Sequence, residues 1–122
     1  MERVNKKLIS TLGICKKAGR LSEGFDPMTQ AVKEGKAKLV LTSLDLSPKS
    51  EKEAARAARI GGVSYTRIPV TMDEIWKGLG RRSGILAVND EGLAHSVMRE
   101  VDMLAATNSA QAGTVAADKE VK

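Results

Sequence analysis

A chain of 122 residues with 42% hydrophobic content is the size of one domain with one core. One each of Phe, Tyr and Trp leaves that core aliphatic, and a single Cys with a single His excludes an internal disulfide and a zinc site built on those ligands. The net charge of +5 implies either an acidic partner or a solvated basic face, and it is localised: residues 1–38 hold nine Lys/Arg against four Asp/Glu, while residues 39–122 hold eleven of each.

Val4, Leu8, Leu12 and Cys15 recur at helical spacing, with Arg3, Lys6, Lys7, Lys16 and Lys17 off the stripe and Ala18-Gly19 as a stop. Cys15 lies on the apolar stripe, which makes it a small core residue and not a nucleophile. Arg20 to Glu23 makes a short strand. Asp26-Pro27 then reads as a helix start, with Asp26 as N-cap and Pro27 in the first helical position. Met28, Ala31 and Val32 supply its apolar face, and Gly35 ends it. Such a helix start presents N–H donors and a partial positive charge. Lys36-Ala37-Lys38 leads into Leu39 to Leu41, an unalternating apolar run expected of a strand buried on both faces.

Ser47-Pro48 repeats the cap-plus-proline device for a third helix, with Ala54, Ala55, Ala58 and Ile60 as a narrow apolar side and Gly61-Gly62 as its end. Val63 to Ile68 reads as a strand closed by Pro69. Thr71-Met72-Asp73-Glu74 is a capping box that opens a short helix with Ile75, Trp76 and Leu79. Gly80-Arg81-Arg82-Ser83-Gly84 is a basic, flexible loop before a second buried strand, Ile85 to Val88. Asn89-Asp90 caps the last helix, whose inward residues are Leu93, Ala94, Val97, Met98, Val101 and Leu104, with His95 off the stripe. The expected organisation is a domain over residues 1–104 and a disordered tail over 105–122. With no signal-peptide pattern and no apolar run near eighteen residues, a soluble cytoplasmic protein away from membranes is expected.

Helices alternating with short apolar strands, in the order α-β-α-β-α-β-α-β-α, imply a layered α/β domain with its sheet covered on both sides. Enzyme motifs are missing. The Gly78, Gly80 and Gly84 spacing is wrong for a dinucleotide fingerprint, and it follows a helix and precedes a strand, the reverse of the required context. There is no Walker A sequence. Asp73, Glu74 and Asp90 are accounted for as helix-terminus carboxylates, so a non-enzymatic protein with no cofactor and no metal is expected.

Several motifs, in order, resemble the ribosomal protein superfamily that binds RNA kink-turns (the "L seven Ae" and "L thirty e" type), and in particular its small bacterial YlxQ-like members. They are Leu12-Gly13, Lys17-Ala18-Gly19-Arg20-Leu21, Gly24, Ala31-Val32, Gly35 to Leu41, Asp45 with Ser47-Pro48, Ile68-Pro69, Leu79-Gly80 and Val88 to Ala94. The resemblance spans about residues 4–101. It implies a three-layer α-β-α sandwich with a mixed four-stranded sheet, and a monomeric partner of structured RNA in translation, on or off the ribosome.

In that superfamily a Gly-x-Asn-Glu-x-x-Lys pattern enters tandem sheared G·A pairs. Here the glycine is Gly24 and the next residue Phe25, but the Asn, Glu and Lys positions hold Asp26, Pro27 and Gln30. Asp26 accepts and cannot donate, Pro27 has no polar side-chain atom, and Gln30 has no charge. The superfamily's second contact loop falls on Gly80 to Gly84, where Arg81 and Arg82 supply phosphate contacts. The resemblance thus points to Gly24, Phe25, Asp26, Gln30, Lys33, Lys36, Lys38, Arg81, Arg82 and Ser83 as RNA-binding residues. Phe25 is either a buried staple or a platform for a flipped base. A protein-interaction adaptor on the same fold, with kink-turn recognition lost, is the alternative that the altered motif leaves open.

Overall fold

The alternating order holds in the computed structural model, which describes residues 2–112, with side chains from residue 6 to residue 104. The elements are α1 (Glu2–Lys17), β1 (Leu21–Glu23), α2 (Phe25–Lys33), β2 (Leu39–Thr42), α3 (Pro48–Ile60), β3 (Ser64–Arg67), α4 (Met72–Leu79), β4 (Ile85–Val88) and α5 (Glu91–Ala112). The four strands form one mixed sheet in the order β1-β4-β2-β3. β4 is antiparallel to both β1 and β2, with Leu21 and Leu39 each opposite Val88, and β2 runs parallel to β3.

All residues of β2 and β4 are buried, as their unalternating composition requires. The pleat sends Leu39, Leu41, Leu86 and Val88 to one face, against Leu8, Leu12 and Cys15 of α1, Ile75 of α4 and Val97 of α5. Val40, Ile85 and Ala87 go to the other, against Met28 and Ala31 of α2 and Ala54 and Ala58 of α3. The result is a three-layer α-β-α sandwich with two aliphatic cores. Small residues set the close approaches: an added Cβ at Gly78 would run into Ile9 of α1, and one at Gly61 into Val32 of α2. Burial pushes the Cys15 thiol up to about 11, with the Asp90 and Glu100 charges adding to it, which fits a core residue and not a nucleophile.

Turn chemistry fixes the boundaries. At the end of α2, Gly35 takes φ 75°, so its N–H reaches the Val32 carbonyl (3.1 Å) and the Lys36 N–H reaches that of Ala31 (2.9 Å). This left-handed stop satisfies two orphan carbonyls, and the same pair of bonds closes α1 at Gly19 and α3 at Gly62. Ser47 caps α3, with Pro48 following, Thr71 caps α4 and Asp90 caps α5.

Three expectations change. Ile60 is not inward; it is 73% exposed, because the face of α3 that meets the sheet is filled by Ala54 and Ala58, while in α4, which packs on α1, Ile75 and Leu79 are buried and Trp76 is exposed. Asn89 does not cap α5: Asp90 accepts from the Leu93 N–H, and the Asn89 amide turns to the Ser22 hydroxyl instead (2.9 Å). The last helix continues past Leu104 to Ala112, through an alanine-rich stretch that favours helix. Residues 113–122 of the expected tail lie outside the described residues.

Candidate nucleic-acid interface

The start of α2 is built on Gly24. Its N–H donates to the Ile85 carbonyl (2.8 Å), extending the β1–β4 ladder, and its own carbonyl accepts from the Met28 N–H (3.0 Å). With φ 111° and ψ 163° the chain turns directly from strand into helix, in a backbone region that is essentially glycine-only. Gly24 is therefore the N-cap, and the expectation that Asp26 caps the helix is overturned. Phe25, Asp26 and Pro27 are the first three helical residues, two positions further in than the Asp-Pro signal suggested. Asp26 keeps a favourable place in the positive first turn, where its carbonyl accepts from the Thr29 hydroxyl. No side chain caps this end. Phe25 is 40% exposed at the first helical position, which is not the buried-staple arrangement.

The basic loop stands against that helix start. The Arg81 guanidinium lies 3.8 Å from where a Cβ on Gly24 would sit. Arg82 is exposed and reaches Asp73 at 3.4 Å, a surface pair of small energetic weight. Ser83 is buried; its hydroxyl donates to the Ile85 carbonyl (2.9 Å) and accepts from the Ile85 N–H (3.3 Å). That side chain holds the loop to β4 and does not face outward.

Along the flank of α2, Gln30 donates to Glu34 (2.6 Å), and Lys36 pairs with the same carboxylate (3.2 Å). The Gln30 hydrogen bond first, and then Lys36, hold the Glu34 carboxyl below the usual range. An open groove of about 570 Å³ follows this flank and includes Gln30, Lys36 and Lys38. The structure thus gathers Gly24, Phe25, Asp26 and Arg81 at one end of α2 and Gln30, Lys36 and Lys38 along its side. Lys33 stands apart, beside Val32 and Ala57 in the cleft between α2 and α3. Sequence reasoning missed Arg20, Ser22 and Asn89 on the groove's far wall. The available signal was Asn89-Asp90, two good capping residues where a helix uses one.

No family model matches the chain. The structure is similar to that of a protein of unknown function from Bacillus halodurans, with TM-score 0.71 and 21% identity, covering 79% of this chain and 97% of that one. It is also similar to a Giardia lamblia 15.5 kD RNA-binding protein, with TM-score 0.67 and 18% identity, covering 87% of this chain and 91% of that one. These likenesses are in fold. Among the described residues no helix is long and apolar enough to cross a membrane, and no group of three metal-ligating side chains occurs.

Proposed function

We propose that this chain is a non-enzymatic RNA-binding protein that holds a bent, kink-turn-like RNA between the start of α2 and the Arg81-Arg82 loop. The observation that carries the reading is convergence. Two segments far apart in sequence, both expected to touch RNA, meet at Gly24, where Arg81 stands over an uncapped helix N-terminus. Backbone N–H groups of a helix start and a neighbouring guanidinium are a natural seat for phosphate. Exposed Phe25 beside them offers a ring on which an unpaired base stacks. The similarity in fold to an RNA-binding protein supports the same reading.

The test is a binding titration of the full chain against a kink-turn hairpin with tandem G·A pairs, and against a plain duplex, across a range of salt. Affinity should favour the kink-turn and fall steeply with salt, by about 0.9 logarithmic units per tenfold change in salt for each neutralised phosphate. Replacing Arg81 and Arg82 by Ala should weaken binding and flatten that slope. A flat salt dependence with no preference for the bent RNA would move the assignment to a protein-interaction adaptor.

A further inference from the structure

Two residues that stand where the sequence did not place them meet in one spot. Lys33, expected on RNA, stands apart from the start of α2, and Ile60, expected in the core, is 73% exposed. Both line an open cleft of about 440 Å³ between α2 and α3, with Thr29, Val32, Ala57 and Gly61 as the rest of its wall. An added Cβ at Gly61 would run into Val32, so the two helices touch beside the cleft. A single exposed isoleucine is ordinary on a protein surface. Here it stands with Val32 and Ala57 along a furrow between two helices, which is the shape that a third helix fills.

The rim of the cleft is basic. Lys33 is exposed on one side. On the other, Arg56 precedes Ile60 by one turn, so the two side chains share a face of α3. That helix exposes Lys49, Lys52, Arg56 and Arg59 against one exposed carboxylate, Glu53. Its other acid, Glu51, is turned to Tyr65 and Arg67 of β3. Among the described residues none of Lys33, Lys49, Lys52, Arg56 and Arg59 makes an ion pair. The two grooves beside α5 have no such bias: one sets Lys38 against Glu91, the other Arg67 against Asp102. An apolar floor under an unpaired basic rim suits an acidic, amphipathic segment. A phosphate backbone would answer the cations and leave Val32, Ala57 and Ile60 with no apolar surface to meet.

We propose that the cleft between α2 and α3 docks an amphipathic helix of a partner protein, with its apolar side chains over Ile60 and its carboxylates against Lys33 and Arg56. In this mode the incoming helix anchors through residues three and four apart on one face. None of Gly24, Phe25 and Arg81 lines the cleft, so a chain holding RNA at the start of α2 can hold such a helix as well.

The experiment titrates the full chain, labelled at its isoleucine and valine methyls, with two synthetic helical peptides. Both carry the same leucine stripe; one has glutamates on its flanks and the other lysines. The glutamate peptide should shift the methyl resonances of Ile60 and Val32 to saturation, and the lysine peptide should not. Ile60→Ser should weaken the glutamate peptide on the order of tenfold, with the melting temperature unchanged because the side chain is exposed. Lys33→Glu with Arg56→Glu should reverse the preference between the two peptides. No shift at Ile60 and Val32, or equal shifts from both peptides, would overturn the docking site. So would an Ile60→Ser variant that melts lower yet binds the glutamate peptide as wild type does, since Ile60 would then be a structural residue. If the charge-reversed variant loses affinity for the kink-turn hairpin while neither peptide binds the wild type, the rim belongs to RNA and the cleft docks no protein.

Discussion

Adjacent arginines in one loop face the starts of two different helices, and those two starts are finished in opposite ways. Arg82 reaches Asp73 in the first turn of α4. There the Thr71 hydroxyl accepts from the Glu74 N–H (3.1 Å), Glu74 accepts from the Thr71 N–H (2.8 Å), and Asp45, in the loop after β2, accepts from the Met72 N–H (3.0 Å). The protein has closed that terminus with its own carboxylates and hydroxyl. Arg81 stands at the start of α2, where Gly24 has no side chain to offer. A closed helix start is a structural joint, whereas an open one beside an arginine still has donors for a ligand. The contrast supports the proposed site without reference to any relative.

The strongest way to break the contrast is to remove the glycine. Gly24→Val forces a β-branched residue to φ 111° and brings a Cβ within 3.4 Å of Pro27. We expect a loss of about 1–3 kcal/mol in urea unfolding, together with collapse of RNA binding as Arg81 is displaced. Unchanged stability would mean that the chain can enter α2 by another route.

Sharpening the open end should act on affinity. Asp26→Asn, Pro27→Glu and Gln30→Lys together install the pattern of the superfamily that the sequence resembles and return an N–H to the third helical position. Kink-turn affinity should rise by about 1–3 kcal/mol, the scale of a good bidentate base contact, with the fold intact. No gain would show that this chain reads RNA by charge and shape alone. At the closed end the effect should fall on stability and spare binding. Thr71→Ala removes one half of the capping box and should cost about 1 kcal/mol of unfolding free energy, with RNA affinity as in wild type. A parallel loss of affinity would mean that the α4 start belongs to the interface.

The fold was legible because its signals are local and redundant. Leu39 to Leu41 and Ile85 to Val88 are apolar without alternation, which only a doubly covered strand explains. Ser47-Pro48 and the Thr71 to Glu74 box mark helix starts by chemistry confined to four residues. The site was legible only in outline. That Gly24 and Arg81 meet depends on the pairing of β1 with β4, and no local pattern encodes a pairing between such distant segments. Ser83 looked like a polar contact in a basic loop; its inward turn follows from the need to pair the Ile85 backbone next to a buried strand. Ile60 looked inward because it is the apolar residue that ends α3, but that helix buries only a narrow stripe against the sheet, which Ala54 and Ala58 fill.

The smallest expected effect tests the one misread boundary. If Asp26 were the N-cap, its carboxylate would hold first-turn N–H groups, and Asp26→Ala would cost about 1 kcal/mol or more. In the structure it is the second residue of α2, and its side chain caps nothing. Removing it forfeits only its interaction with the helix dipole, about 0.3–1 kcal/mol. Alanine returns much of that, since Asp is the poorer helix former by a similar margin. The two terms nearly cancel, so urea unfolding should shift by no more than about 0.5 kcal/mol. If the proposed site holds, RNA binding should tighten slightly at low salt, because a negative charge has left the end of α2 assigned to phosphate. A stability loss comparable to that of Thr71→Ala would restore Asp26 as the cap and close the helix start that the proposed site requires to be open.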